Sequence, residues 1–550
     1  MEGPLTPSAP GPGTGRRPAH SSTPPGAVYW RRRTVLGALL AAPVLGAAWA
    51  AERWLEDGSP GRRPQRAAGG QAAGRTAERG GPKTQPRGTI AEENAKQGTD
   101  AWSVPQVQAT WDKVRGFASR TSVETGDSFQ LFVSTAAPSF RVTAFRMGYY
   151  QSKAGRQVWA SGPIPGRQQP DAVVDPETNM SEARWEPSLT ITTANPEWVP
   201  GPYLLKLESS DGGQSQVPLV VRDDRYPAPV HIQHDVTTWQ AYNTWGGASL
   251  YEGERGRSQK VSFDRPYSLS GSGNFLGGCY EIGALVESLG LEVTYSTNVD
   301  THAQPALVGD HNVWVGGAHD EYWSKEMRDG VTAARDKGVN LMFLGANCMY
   351  RRIRFEDSSL GPNRRVVNYR VASQDPLNGK DPERVTTSWR EAPAARPESD
   401  ITGTYYESNP VKGDMVIVAA DAWMFTGTGV GNGDRWPDVI GNEYDRVTPE
   451  VPTPPTIQVL AHSPVVVKGH PTFSDMTYYT VPSGAGVFSA GSIYFERHVQ
   501  PGGAGFNAQI VAMTTNIVRA FAAGPAGRAH PAQPNLAQLG IHPGYVAPVD

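Results

Sequence analysis

A chain of 550 residues is too long for one ordinary hydrophobic core and predicts two domains flanked by tails. Its 61 glycines and 47 prolines predict many loops and coreless segments, while 51 Lys and Arg against 54 Asp and Glu leave a net charge of −3. That charge is uneven, +6 over residues 1–100 and therefore −9 over the rest, so the folded part is acidic and nucleic acid is excluded as a partner.

Residues 1–50 read as a twin-arginine-type signal. Trp30-Arg31-Arg32-Arg33 precedes an apolar run ending at Ala48, and Ala48-Trp49-Ala50 offers small residues where a signal peptidase cuts. The run is about 15 residues, too short to cross a bilayer comfortably. Arg32-Arg33-Thr34-Val35-Leu36 fits the R-R-x-apolar-apolar pattern, with an ordinary secretory signal or an uncleaved anchor as the alternative. The expectation is a folded protein exported by the twin-arginine route to a secreted or cell-envelope location, with no stable membrane span after cleavage. Residues 51–98 are Gly, Ala, Arg, Pro and Gln with almost no aromatics, a composition that reads as a disordered tether.

From 99 to 225 short alternating runs, such as Ser128-Phe129-Gln130-Leu131-Phe132-Val133 and Phe140 to Arg146, predict strands joined by turns and hence a β-sandwich. From 226 to 523 the pattern becomes strand, helix, strand, helix. Ile282, Leu285, Val286 and Leu289 follow helical spacing and end at Gly290, and Ser324 stands where it can cap a helix carrying Met327, Val331 and Ala334. Such alternation predicts a mostly parallel sheet covered by helices. Residues 524–550 read as a Pro/Ala-rich tail extended over the surface. The fold class expected is therefore α/β plus all-β, a β-sandwich followed by a mostly parallel α/β domain.

In such sheets ligands bind outside the carboxyl ends of the strands. The loops there hold Trp239 to Gly247, then Asn298, Asp300 and His302, then Gly317 to Trp323, and finally Asn347. His319 and Glu321, at i and i+2, would point the same way in extended chain, about 6.6 Å apart. That suits two ligands of one metal, imidazole plus carboxylate; the other reading is a turn capping the helix near Ser324. Asn347 is a candidate oxyanion or carbonyl partner, or an Asx turn. Glu443 is a candidate base, or a solvated carboxylate. His231, His234, His470 and His498 lack a partner pattern and read as structural. Cys279 and Cys348 read as buried free thiols, with pairing in an exported protein as the alternative. Zinc on thiolates, a serine-hydrolase elbow and a dinucleotide fingerprint are all excluded by the absence of their spacings.

Taken together, Trp-Gln-Ala-Tyr-Asn-Thr-Trp-Gly-Gly at 239–247, His-Asp-Glu-Tyr-Trp at 319–323, Phe-Leu-Gly-Ala-Asn at 343–347 and Phe-Arg-Met-Gly-Tyr-Tyr at 145–150 resemble the N,N-dimethylformamidase large (beta) subunit family over roughly residues 110–520. The resemblance implies a mononuclear iron held by Tyr242, His319 and Glu321, with Asn347 beside it. By its Glu443-Tyr444-Asp445 context, Glu443 matches a catalytic glutamate. It also implies a glutamine-amidotransferase-like sheet without that fold's cysteine nucleophile. A phenolate ligand favours Fe3+, and three protein ligands leave positions for water and a substrate oxygen. Trp239, Trp245 and Trp323 could wall a small apolar pocket, or serve as packing residues.

The expected function is hydrolysis of a small-molecule amide or related C–N bond. The family amidase works with a small subunit separate from this chain, so a partner subunit or a homo-oligomer is open. The rival expectation is a non-catalytic exported binding or cell-surface protein on a degenerate α/β scaffold.

Overall fold

The computed structural model describes residues 88–543 apart from 269, 270, 272, 501, 502 and 504. The leader of residues 1–50 and most of the tether lie outside these. Residues 88–98, assigned by composition to the tether, dock instead. Thr89 caps a short helix, Ile90–Asn94, and Ile90 is fully buried. Composition hides this because one apolar side chain and two buried polar ones, Glu93 and Asn94, suffice to anchor it.

Strands Val114–Ala118, Ser128–Thr135 and Leu189–Thr192 form a three-stranded antiparallel sheet. A second sheet runs Ser122–Glu124, Gln214–Arg222, Gly201–Ser209, Ser139–Met147, Gly155–Ala160. Alternation decides the packing: Phe129, Leu131 and Val133 from the first sheet share one core with Phe140, Val142, Leu205, Leu207 and Leu219 from the second. On the opposite face Phe117 stacks on Phe132, with ring centroids 4.7 Å apart.

The central sheet has seven strands in the order Val293–Thr297, Val230–His234, Val313–Gly316, Asn340–Phe343, Gly486–Ser489, His470–Thr480, Gln458–Val467. The first five are parallel, and the last two add on antiparallel. Its parallel strands are buried along their whole length, as sheets covered on both faces require. Helices Tyr280–Ser288 and Lys325–Asp336 make the crossovers. Ser324 caps the second, its hydroxyl accepting from the Met327 amide at 3.3 Å, a contact contributing about 1 kcal/mol. The strand that comes first in the chain, Val230–His234, lies between the second, Val293–Thr297, and the third, Val313–Gly316, so the sheet reverses direction of growth there, the switch point at whose carboxyl ends ligands bind in such sheets.

Between the fourth and fifth parallel strands the chain makes an excursion with no counterpart in the helical alternation. Arg351–Ser358 and Gly361–Val367 form a hairpin, flanked by Lys260–Ser262 on one side and Tyr322–Ser324 on the other. Tyr405–Val416 and Arg435–Arg446 form a second, with three register shifts. The whole is a mixed α and β fold in which strand outweighs helix, 34% against 19%. After helix Ala508–Ala522 the tail makes a short 3-10 turn, Ala526–Arg528, and is then tied by Asn535 Nδ2 to the Val459 carbonyl at 2.8 Å and by buried Ala532 and Ile541. Among the described residues no helix is long and apolar enough to cross a membrane.

Candidate functional site

Five side chains singled out in the sequence converge at the switch-point crevice. Tyr242 ends helix Val236–Tyr242, which leaves the first parallel strand. The turn beyond it is pinned by Asn243, whose Nδ2 donates to the Pro266 carbonyl at 2.9 Å and whose Oδ1 accepts from the Ser268 amide at 2.8 Å. Buried Arg265 then donates to the Asn243 and Trp245 carbonyls, both at 2.9 Å. These bonds fix the helix end and therefore the phenol.

His319 and Glu321 follow the third strand in a turn rather than in extended chain. They still face one point, because Asp320 between them is pulled under the turn. Its carboxylate accepts from Gln233 Nε2 at 2.7 Å and Asn298 Nδ2 at 3.0 Å. His319 Nε2 lies 3.5 Å from Glu321 Oε2 and 3.7 Å from Glu443 Oε2. Neither His319 nor Glu321 caps the following helix; Ser324 does that alone. Gly345 lets the fourth strand end against this turn, since a Cβ there would lie 1.7 Å from the Ala318 carbonyl oxygen. Asn347 follows with φ +54°, its amide held by Asp445 Oδ1 at 2.8 Å. Its Nδ2 donates to Glu443 Oε2 at 2.7 Å, so it is not an Asx turn.

Glu443 comes from the second hairpin and is buried, not solvated. Burial pushes its carboxyl above the usual range; His319 draws it down, and Glu321 pushes it up again. Burial and then Glu321 hold the Tyr242 phenol well above the ordinary tyrosine range. The phenol oxygen is 3.2 Å from Glu321 Oε2, so phenol and carboxylate meet through one proton.

Sequence reasoning missed several members of this cluster. Tyr251 donates to Glu321 Oε2 at 2.6 Å and stacks on Tyr242 at 4.3 Å. Arg351 Nε is 3.5 Å from Glu321 Oε1. Asn409 Nδ2 reaches Glu443 Oε1 at 3.4 Å and the Tyr406 hydroxyl at 2.7 Å. All sit in irregular loops or on the excursion hairpins, where no periodicity marks a functional position. Conversely, Asp300 and His302 lie outside the cluster, bonding Thr297 and Ser324. The three tryptophans pack elsewhere: Trp239 donates to Asp235 at 2.8 Å, Trp323 donates to the Asp320 carbonyl at 2.8 Å, and Trp245 meets Trp185 edge-on. None of the three walls a pocket around the five residues; Trp239 instead lines a separate small cavity. Both cysteines are free and buried, Cys279 donating to Asp235 at 2.7 Å.

A cavity of about 30 Å³ lined by Phe117, Tyr203, His234, Trp239 and Phe275 includes none of the five residues. Both ring nitrogens of His234 are buried there without a hydrogen-bond partner, and the space suffices for a water.

No group of three or more His, Cys, Asp or Glu side chains among the described residues is gathered to hold a metal. The set at the crevice is of another kind, one imidazole, one carboxylate and a phenol. Two buried atoms point to a missing partner: His319 Nε2 and Asn347 Oδ1 have no hydrogen bond. Donor chemistry and orphaned nitrogen fit a hard cation in place of the proton shared by Tyr242 and Glu321.

The model of a family described as N,N-dimethylformamidase beta subunit-like, C-terminal, matches residues 141–506, a stretch that contains all five residues. No curated protein matches the chain. Among solved structures, Cwp6 from Clostridium difficile matches at 12% identity over 42% of this chain and 37% of that one, with a TM-score of 0.13. The chain thus spans well under half of that protein's length.

Proposed function

This chain belongs to the N,N-dimethylformamidase beta subunit-like family, and from that premise we propose that it is an exported, iron-dependent hydrolase of a small amide or related C–N bond. One observation carries the reading: His319 Nε2 is buried without a hydrogen bond, within 3.7 Å of two carboxylates, one from its own turn and one from the second hairpin. Tyr242, His319 and Glu321 hold the metal. When bound, iron supplies Lewis acidity toward an amide carbonyl and makes water a better acid.

The chain's own residues do the rest. Asn347 commits its Nδ2 to Glu443 and leaves Oδ1 to accept from the substrate N–H, which orients the amide. Glu443, its affinity for a proton raised by burial, accepts the proton of the attacking water and returns it to the departing amine. Arg351 lies 3.5 Å from Glu321 Oε1 and so places a positive charge on the side of the carboxylate away from the phenol. The cysteines stay out of the chemistry because burial holds Cys279 and Cys348 well above the usual thiol range.

Amine release from a panel of formamides and acetamides tests the reaction. Release that requires iron and is lost in Asn347→Ala supports it; iron-loaded protein that releases no amine overturns it in favour of a binding role.

A further inference from the structure

Three arginines gather beside Glu321. Arg351, at the start of strand Arg351–Ser358, pairs with Tyr322, the residue after Glu321. Arg370 stands over the ring of Tyr251, whose hydroxyl donates to Glu321 Oε2 at 2.6 Å. Arg257 reaches the same stretch of chain through the carbonyl of Tyr369, the residue before Arg370.

This group has almost no counter-charge. Arg370 makes no hydrogen bond or ion pair through its guanidinium, and its Nε and Nη2 are buried. It is held only by its stack over the Tyr251 ring, 4.0 Å from the centroid. Arg351 meets one acid, Glu321, at 3.5 Å, and its Nε makes no hydrogen bond. Arg257 donates to the Tyr369 carbonyl at 2.8 Å. Burial and then the charges of Arg370 and Arg351 lower its pKa, so the three guanidinium groups feel one another. Cations gathered and partly desolvated without anions are costly unless a ligand supplies the anion. Guanidinium forks match a carboxylate's two oxygens.

The geometry points to an anion-binding wall of Arg351, Arg370 and Arg257 beside the candidate centre, holding a carboxylate that the amide substrate itself carries. Resting on the amide-hydrolase reading, it narrows the substrate to small N-acylated amino acids or amides of similar reach. The substrate is preferred over a free anion because Arg351 lies 3.5 Å from Glu321, so a carboxylate on these arginines and an amide at the centre are a few bonds apart.

Calorimetry on the purified protein, with and without iron, tests it with N-acetylglycine, its neutral methylamide and inorganic phosphate. N-Acetylglycine is expected to bind at least about tenfold more tightly than the methylamide, and Arg370→Gln is expected to erase that preference while Arg370→Lys restores part of it. The melting temperature of unliganded Arg370→Gln should hold or rise, because the replaced group has no hydrogen-bonding protein partner and repels two neighbours. A fall in that melting temperature, equal binding of the two amides, or phosphate binding more tightly than N-acetylglycine would overturn the proposal. Retained preference in a protein that hydrolyses no amide would leave the wall standing and remove the amidase reading instead.

Discussion

Arg146 and Glu287 form an ion pair at 2.7 Å in which neither side chain reaches solvent. Arg146 lies in the Phe-Arg-Met-Gly-Tyr-Tyr segment on strand Ser139–Met147, and Glu287 on helix Tyr280–Ser288. Glu287 also accepts from Asn94 at 2.8 Å and Tyr295 at 2.9 Å. Gly148 completes the segment because a Cβ there would sit 2.3 Å from Glu287 Oε2. The segment therefore joins the β layers to the central sheet. Glu287→Ala should cost about 3–5 kcal/mol, since it strands a buried guanidinium, whereas the double change Arg146→Met with Glu287→Leu should cost markedly less. Denaturant midpoints check this; equal costs for single and double variants would refute it.

Acid stability should depend on Glu93. Burial by itself would raise its carboxyl, but Arg146, Lys96, Tyr150 and Arg156 outweigh burial and hold it down to about 2 from 4.5. A carboxyl depressed in the folded state stabilises above its unfolded pKa, and that contribution disappears as pH falls from about 4.5 toward 2. It amounts to about 2–3 kcal/mol. Glu93→Gln should flatten the loss of stability in that window while lowering stability at pH 7; an unchanged acid limb would contradict the assignment.

Asn347→Ala should separate chemistry from metal binding. Its side chain bonds Glu443 but not Tyr242, His319 or Glu321, so iron content should be retained while turnover falls about 10²-fold. Loss of iron from this variant would make Asn347 part of the metal cradle instead.

The leader, outside the described residues, carries its own prediction. Changing Arg32 and Arg33 together to Lys should leave folded protein in the cytoplasm. Undiminished export, or loss only when the general secretory route is blocked, would assign the ordinary route.

What could be read from the chain follows the physics of each part. The strand–helix alternation was legible because parallel strands buried on both faces are continuous apolar runs, as in Val313–Gly316 and Asn340–Phe343, and because Ser324 and Gly290 mark helix ends. The grouping of Tyr242, His319, Glu321, Asn347 and Glu443 was legible through motifs, not through periodicity. Tyr251, Arg351 and Arg370 were not, because Tyr251 and Arg370 lie in irregular chain, Arg351 lies on an excursion hairpin, and their approach to Glu321 depends on contacts between segments far apart in sequence. The hairpin Tyr405–Val416 with Arg435–Arg446 escaped as well: its three register shifts and mixed burial leave no clean alternation.

The central claim is the metal at Tyr242, His319 and Glu321, and the most direct measurement is iron content with the visible spectrum on protein purified without chelator. The account predicts about one iron per chain with a tyrosinate-to-iron charge-transfer band, stripped by His319→Ala or Glu321→Ala, and colourless in Tyr242→Phe even where some metal stays. A chain that binds no transition metal, or binds it equally well without His319, would contradict it.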